Sequence, residues 1–395
     1  MAGMTQETWT VLHDAAKRFV DKVSGDGLRH TDADGFDRET WRGMAELGWF
    51  GLAVPEALGG LGESVGALAP VAEAVGAGNI AEPVMAVAGV ATPLLSEAAE
   101  HDPASAAFLE RVLAGDTVAT LAHFEPESGF ARSAVATRAA SDGGNWVLNG
   151  TKTAVEGGPA TGLFLVSAQA AGRIALFAVA ADSPGVALRT YRSLDGRLLV
   201  ELHLSEARLD AASCIMADAA EAIDAALDRG AFLAMADAVG AMQVLFDDTL
   251  AHLRTRKQFG QPLSAFQALQ HRAVDMFIAL EEARGVVEAA AMAVDCEPLE
   301  RMRAVATAKV IGARSARLIS REAVQMHGGI GITEDLRISH YFRRLVVAEN
   351  LYGDEDHYLD RFRDLTRADA EPAAGNGEHQ GGRIRTCKDT KATRP

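Results

Sequence analysis

The hydrophobic pattern of this chain changes period twice, after Gly115 and again at Ala219, and those two switches constrain its fold more than any one motif. Before the first switch, apolar residues fall at helical spacing. Trp9, Leu12, Ala16, Phe19 and Val23 mark residues 7–23 as an amphipathic helix. Asp37, just ahead of Glu39-Thr40-Trp41, is placed to cap a second helix ending near Leu47. Residues 48–55 and Gly59-Gly60-Leu61-Gly62 read as loop, because glycines at that density favour turns and close backbone approach. Residues 65–76 and 104–114 return to the helical pattern.

Between the switches the apolar runs are short: 117–122, 134–139, 146–149, 163–167, 174–180, 186–190 and 198–204. Asp-Gly-Gly, Asn-Gly, Ser-Pro-Gly and Asp-Gly punctuate them, which predicts strands joined by tight turns in a small β-barrel domain. From Ala219 the helical pattern resumes in long segments, 219–257, 265–295, 299–326 and 338–351, and four long helices with short connections predict a bundle. A last helix is expected over 359–365. The fold class is therefore mainly α with a central β-domain. The expected domains are a helical one over 1–116, the barrel over 117–212 and the bundle over 213–368. Residues 369–395, poor in apolar side chains, are expected to form a disordered tail.

The 395 residues suffice for two or three domains with cores of their own. A formal net charge of −16 argues against nucleic acid or an anionic membrane as partner, since both need a basic face. No apolar run is expected to reach the ~18–20 residues that span a bilayer. The N-terminus does not resemble a secretory signal, and Cys214, Cys296 and Cys387 show no metal spacing, so a reduced cytoplasm is the simplest setting and no metal is expected.

Two segments carry chemistry. The first is Arg256-Lys257-Gln258-Phe259-Gly260, followed by Leu263 and Phe266-Gln267; the second is Gln325-Met326-His327-Gly328-Gly329-Ile330-Gly331. A guanidinium such as that of Arg256 matches phosphate oxygens with two parallel hydrogen bonds. Three glycines in four residues exceed what a helix C-cap requires, and they let a ligand approach the backbone. Alone, Arg256 would read as an exposed charge at a helix end; His327 reads as a packing or capping residue, without a catalytic role.

With the helical–β–helical order, these segments resemble the flavin-binding signatures of the acyl-CoA dehydrogenase family. Leu47-Gly48-Trp49, Val54-Pro55-Glu56 and Trp146-Val147-Leu148-Asn149-Gly150-Thr151-Lys152 resemble other parts of it, and the likeness covers about residues 5–367. The resemblance implies FAD as cofactor. Arg256 would contact its pyrophosphate across a subunit interface, Phe259, Leu263, Phe266 and Gln267 would line its path, and Gln325, Gly328 and Gly329 would meet its adenine side.

The chain departs from the family elsewhere. Where the family usually reads Thr-Glu-Pro and then Gly-Ser-Asp, this chain reads Phe124-Glu125-Pro126-Glu127-Ser128-Gly129-Phe130-Ala131. Where a Trp-Ile-Thr usually covers the flavin, it has Ala154-Val155-Glu156. The usual catalytic glutamate position is Gly353, and the alternative one aligns near Gly230. Asp354, Glu355 and Asp228 are nearby carboxylates expected to be solvated helix-end charges; Asp354 is a candidate base if the loop shifts by one residue.

Tyr352-Gly353-Asp354 after Arg343-Arg344 resembles the small-subunit branch, whose members partner pimeloyl-CoA dehydrogenase large subunits. The resemblance thus implies a subunit of an α2β2-type acyl-CoA dehydrogenase. It would share flavin with a paralogous chain, desaturate an acyl-CoA and pass electrons to an electron-transfer flavoprotein. Two other arrangements stay open: a self-sufficient homo-oligomer with a displaced base, and a non-catalytic structural or acyl-CoA-binding paralogue that holds no flavin.

Overall fold

A computed structural model describes residues 6–25 and 36–370. Helix α1 spans Gln6–Val23 and α2 spans Arg38–Glu46, with Asp37 at its N-cap accepting from the Glu39 N–H at 2.9 Å. After turns and α3 (Ala69–Ala77), a π-helical turn over Ala86–Ala91 runs into α4 (Thr92–Ala99), and α5 (Pro103–Leu113) follows with Asp102 as its cap. The 86–99 stretch is almost wholly buried and apolar on nearly every side, so it carries no helical stripe.

The strands are β1 (Val118–Ala122), β2 (Arg138–Asp142), β3 (Asn145–Glu156), β4 (Thr161–Ala170), β5 (Arg173–Ala180), β6 (Val186–Arg192), β7 (Leu198–Leu209) and β8 (Cys214–Met216). They form one sheet in the order β6-β7-β3-β2-β4-β5-β8, with β1 pairing parallel to β4. In hydrogen-bond terms the path of the expected barrel ends at β6 and β8, and β1 pairs with β4 alone. Two expectations are corrected here. Asn149-Gly150 is not a turn but a register shift inside β3, where Asn149 bonds Glu206 of β7. Residues 134–137 are not strand; the Ala136 and Thr137 N–H groups donate to the Glu125 carboxylate.

The C-terminal part packs α6 (Ala220–Thr255), α7 (Gln267–Ala293), α8 (Pro298–His327) and α9 (Arg337–Asn350), with α10 (Glu355–Ala370) against α8. Helix α3 crosses α6 at two glycines. A Cβ on Gly76 would lie 1.9 Å from the Asp237 carbonyl oxygen, and one on Gly240 would lie 1.9 Å from that of Glu73. The backbones can touch there only because neither residue has a side chain.

By length and composition α6 could cross a membrane, contrary to the expectation that no run is long enough; 72% of its most apolar window is buried inside the protein, as in a core helix. From residue 371 the expected tail lies outside the described residues.

Candidate functional site

The two motifs form one outward-facing surface. Arg256 ends α6, and a two-residue hairpin follows between strands β9 (Lys257–Gln258) and β10 (Gln261–Pro262). Phe259 and Gly260 at its tip have φ of 53° and 80°, the left-handed pair that a tight hairpin turn demands. A bulky residue adopts that conformation at a cost, and here it throws the phenyl ring outward, 91% exposed. Phe259 meets Phe266 edge-on, with ring centroids 6.1 Å apart, and the Leu263 N–H donates to the Arg256 carbonyl. Gln267 opens α7 and is exposed, as are Arg256, Gln325, Gly328 and Gly329.

The second motif lies beside the first. His252, one turn before Arg256, stacks on His327 with ring centroids 4.4 Å apart. His327 Nδ1 donates to the Ala323 carbonyl at 2.8 Å, which fits its expected capping role. Gly328 has φ of 69°, and no atom lies within 4 Å of the point where a Cβ would sit on Gly328 or Gly329. The backbone there is open to a ligand from outside the chain. Ile330 and Ile332 add two more exposed apolar side chains to the same edge.

The residues that depart from the family pattern gather at a separate place, between the sheet and the bundle. Phe124, Phe130, Ala154, Glu156, Leu351 and Tyr352 line a cavity of about 240 Å³. Phe124 and Phe130 face each other edge-on at 6.2 Å and narrow it. A second cavity, of about 30 Å³, lies beyond, with Arg197, Gly230 and Asp237 in its wall; it holds little more than a water. Glu156 and Tyr352 line both cavities and stand between them. The Tyr352 hydroxyl donates to Glu156 Oε1 at 2.5 Å, and Arg197 lies 3.7 Å from Glu156 Oε2. Burial, then the Glu156 charge, pushes the Tyr352 phenol well above its ordinary value.

Tyr352 is itself forced, with φ of 61°. The carbonyls on either side of that strained residue are both held. Lys309, fully buried, donates to the Leu351 carbonyl at 2.8 Å and to those of Ala348 and Glu349. Tyr358 donates to the Tyr352 carbonyl at 3.1 Å and accepts from Arg132 at 2.9 Å. Arg132 in turn pairs with Asp224 and Asp228, and Arg301 and Arg361 close the cluster on Asp228. Asp228 is therefore not a solvated helix-end charge: it is 0% exposed and satisfied by three arginines. Its position in mid-α6 hid that, since only the fold brings Arg132 and Arg361 to it. Glu355 is likewise paired, with Arg314 and Arg317.

Asp354 does not line the cavity; its carboxylate accepts from the His357 N–H at 2.8 Å and caps α10. Gly353, the usual base position, is buried with φ of 127°. Thr120 Oγ1 faces the cavity, buried and without a hydrogen-bond partner among the described residues. Nothing local in the sequence marks Thr120, Arg132, Arg197 or Lys309, since no spacing distinguishes them from ordinary strand and helix residues.

Comparison with known proteins agrees with this architecture. The family models for the acyl-CoA dehydrogenase N-terminal, middle and C-terminal domains match residues 6–116, 120–207 and 220–361. The chain is 30% identical to the acyl-CoA dehydrogenase FadE27 of Mycobacterium tuberculosis over 350 residues, 85% of this chain and 90% of that one. Among solved structures, the ChsE4-ChsE5 complex from Mycobacterium tuberculosis superposes with a TM-score of 0.82 at 28% identity, covering 95% of this chain and all of the matched one. The Tcur3481-Tcur3483 steroid ACAD gives 0.83 at 28% identity, covering 92% and 99%. With three domain models in series over nearly the whole described chain, this protein belongs to the acyl-CoA dehydrogenase family of FAD-dependent oxidoreductases.

Proposed function

We propose that this chain is one subunit of a two-chain acyl-CoA dehydrogenase of the small-subunit type. It would grip the adenosine diphosphate end of an FAD whose ring lies in a paralogous partner. The single observation that carries this is the exposed edge formed by Arg256, Phe259, Gln325 and Gly328. These groups line neither cavity between sheet and bundle, and the pocket beside them, of about 480 Å³ and walled by His252, His327 and Ile330, is open at the surface, so a ligand that meets them would extend outside this subunit. The ChsE4-ChsE5 complex, a relative named as an assembly of two proteins, supports the arrangement.

The two halves of FAD fit this chain unequally. At the outer edge the donor set suits a dinucleotide. Arg256 offers a planar fork for phosphate oxygens, Gln325 an amide for a base edge, and Gly328-Gly329 an unshielded backbone. Phe259, Leu263, Phe266 and Gln267 would flank its path. At the inner cavity the set suits a ring system poorly. Phe124 and Phe130 narrow it, and its 240 Å³ falls below the ~300–1,000 Å³ of usual cofactor and ligand sites.

A bound flavin would supply the acceptor for the hydride that desaturation removes from the acyl β-carbon. This chain's part is to bind and orient the cofactor's polar end and to exclude water from it with Phe259 and Phe266. Neither family position supplies a base: Gly353 has no side chain, and Asp354 is committed to capping α10. The carboxylates that line the cavity are engaged, Glu156 by the Tyr352 hydroxyl and Glu125 by Lys152 and Thr137. We therefore place proton removal from the acyl-CoA in the partner chain, and electron delivery to an electron-transfer flavoprotein. The test is Arg256→Ala in the co-purified assembly. Flavin content falls at least several-fold if Arg256 grips the pyrophosphate; unchanged content removes the reading.

A further inference from the structure

We infer that this chain's own flavin-ring seat is closed by its side chains. The Tyr352–Glu156 hydrogen bond takes the ring's place as the tie between β-domain and bundle, so a mixed assembly carries one flavin for every two chains. The inference rests on the two-chain reading only for that count; the closed seat stands on the geometry of this chain alone.

Glu156 comes from the end of β3, in the stretch that the family resemblance places over the flavin. Tyr352 comes from the α9–α10 loop, next to the usual base position. Their bond spans the gap between the two layers directly, at 2.5 Å. The Arg197 guanidinium, 3.7 Å from the other Glu156 oxygen and bonded at Nε by Asp195, holds the carboxylate toward the tyrosine. A carboxylate kept there would also oppose any group that gains negative charge on reduction.

The surrounding residues are shaped to the tyrosine. A Cβ on Gly230 would stand 2.6 Å from the Tyr352 ring at Cε1 and Cζ, so this position is glycine because the ring packs on α6 there. A Cβ on Gly353 would stand 2.7 Å from His357 Cδ2 and 2.8 Å from Tyr358 Cε2, on a backbone with φ of 127° that side chains rarely adopt. Both places where the family carries its base are thus glycine for packing reasons that centre on Tyr352 and α10. Neither is a vacancy into which a carboxylate would fit. Lys309 and Tyr358, by holding the carbonyls of Leu351 and Tyr352, keep the strained tyrosine turned inward. They act as positioning residues for the tie.

Two measurements on the full-length chain test this. The first counts flavin released by acid per chain, in the lone protein and in the assembly co-purified with a paralogous acyl-CoA dehydrogenase. A colourless, folded lone chain and one flavin per two chains are expected; one flavin per chain in either preparation overturns the closed seat. The second compares thermal unfolding of the lone chain with its Tyr352→Phe and Glu156→Gln variants. Each should lower the midpoint by roughly 2–4 °C while leaving the flavin-to-chain ratio of the assembly unchanged; unaltered midpoints overturn the tie. The Arg256→Ala result is independent. If that variant keeps its flavin while the count stays at one per two chains, the outer grip is wrong and the closed seat survives.

Discussion

The Tyr352 hydroxyl donates to the Glu156 carboxylate across 196 residues of sequence, and the α6 backbone behind the tyrosine ring is a glycine, Gly230. The pair lines both cavities between sheet and bundle and stands between them. The absence of a side chain at Gly230 follows from accommodating that one ring.

Gly230→Ala tests this packing. The added methyl meets the Tyr352 ring well inside contact distance, so the ring must leave or α6 must shift. Overpacking of a core in this way costs about 1–3 kcal/mol. Urea unfolding should show that loss, and Gly230→Ala combined with Tyr352→Ala should be less destabilised than the sum of the two single changes.

Asp228→Asn is expected to be the most damaging single substitution in the bundle. It removes the charge on which Arg132, Arg301 and Arg361 converge inside the protein. Breaking a buried pair by removing one partner costs about 3–5 kcal/mol. The denaturation midpoint in urea measures it; a near-neutral result would show that the arginines find other partners.

Lys309→Met should loosen the end of α9. Its side-chain nitrogen satisfies three carbonyls, one buried and two partly buried, that methionine cannot, and burial already holds its own titration down at about 7. Loss of charged hydrogen bonds of this kind costs roughly 2–4 kcal/mol in total. Amide exchange at residues 348–353 should quicken before the rest of the bundle opens.

Stability should fall as the solution is acidified from neutral pH. Burial, with the neighbouring charges of Lys152 and Arg132 respectively, lowers the imidazoles of His123 and His357 from 6.5 to about 4. At these two groups the unfolded chain takes up protons that the folded chain refuses between about 6.5 and 4. Glu73, raised by burial from 4.5 to about 7, acts in the opposite sense between about 4.5 and 7, but it is one group against two, so stability still rises with pH across the window. Burial alone would raise Glu125, but hydrogen bonds from Lys152 and Thr137 outweigh it and hold it at about 2. Its contribution is complete above 4.5 and is lost as pH falls toward 2. Urea midpoints at pH 7, 5.5 and 4.5 should decline in that order, and a flat series contradicts the assignment.

How much of this was legible in the sequence depends on whether the signal was local. Asp37 announced α2, and the long helices α6 to α9 were readable from their length and apolar content. The π-turn and α4 were not, because Ala86 to Ala99 is apolar nearly all round and has no periodic face. The Asn149-Gly150 pair misled because a bulge uses the same residues as a turn. At the site, Arg256 and Gln325 were visible as motifs. That Glu156 reaches Tyr352, or that Asp228 is buried among arginines, depends on contacts between segments far apart in the chain, which no local pattern encodes.

The most direct test of the two-chain account is the visible absorption spectrum of the purified chain, alone and then co-purified with a paralogous acyl-CoA dehydrogenase. The account predicts no flavin bands near ~450 nm in the lone protein and a flavin-bearing mixed complex that loses its colour on Arg256→Ala. A lone chain that is yellow with one flavin per subunit would contradict it.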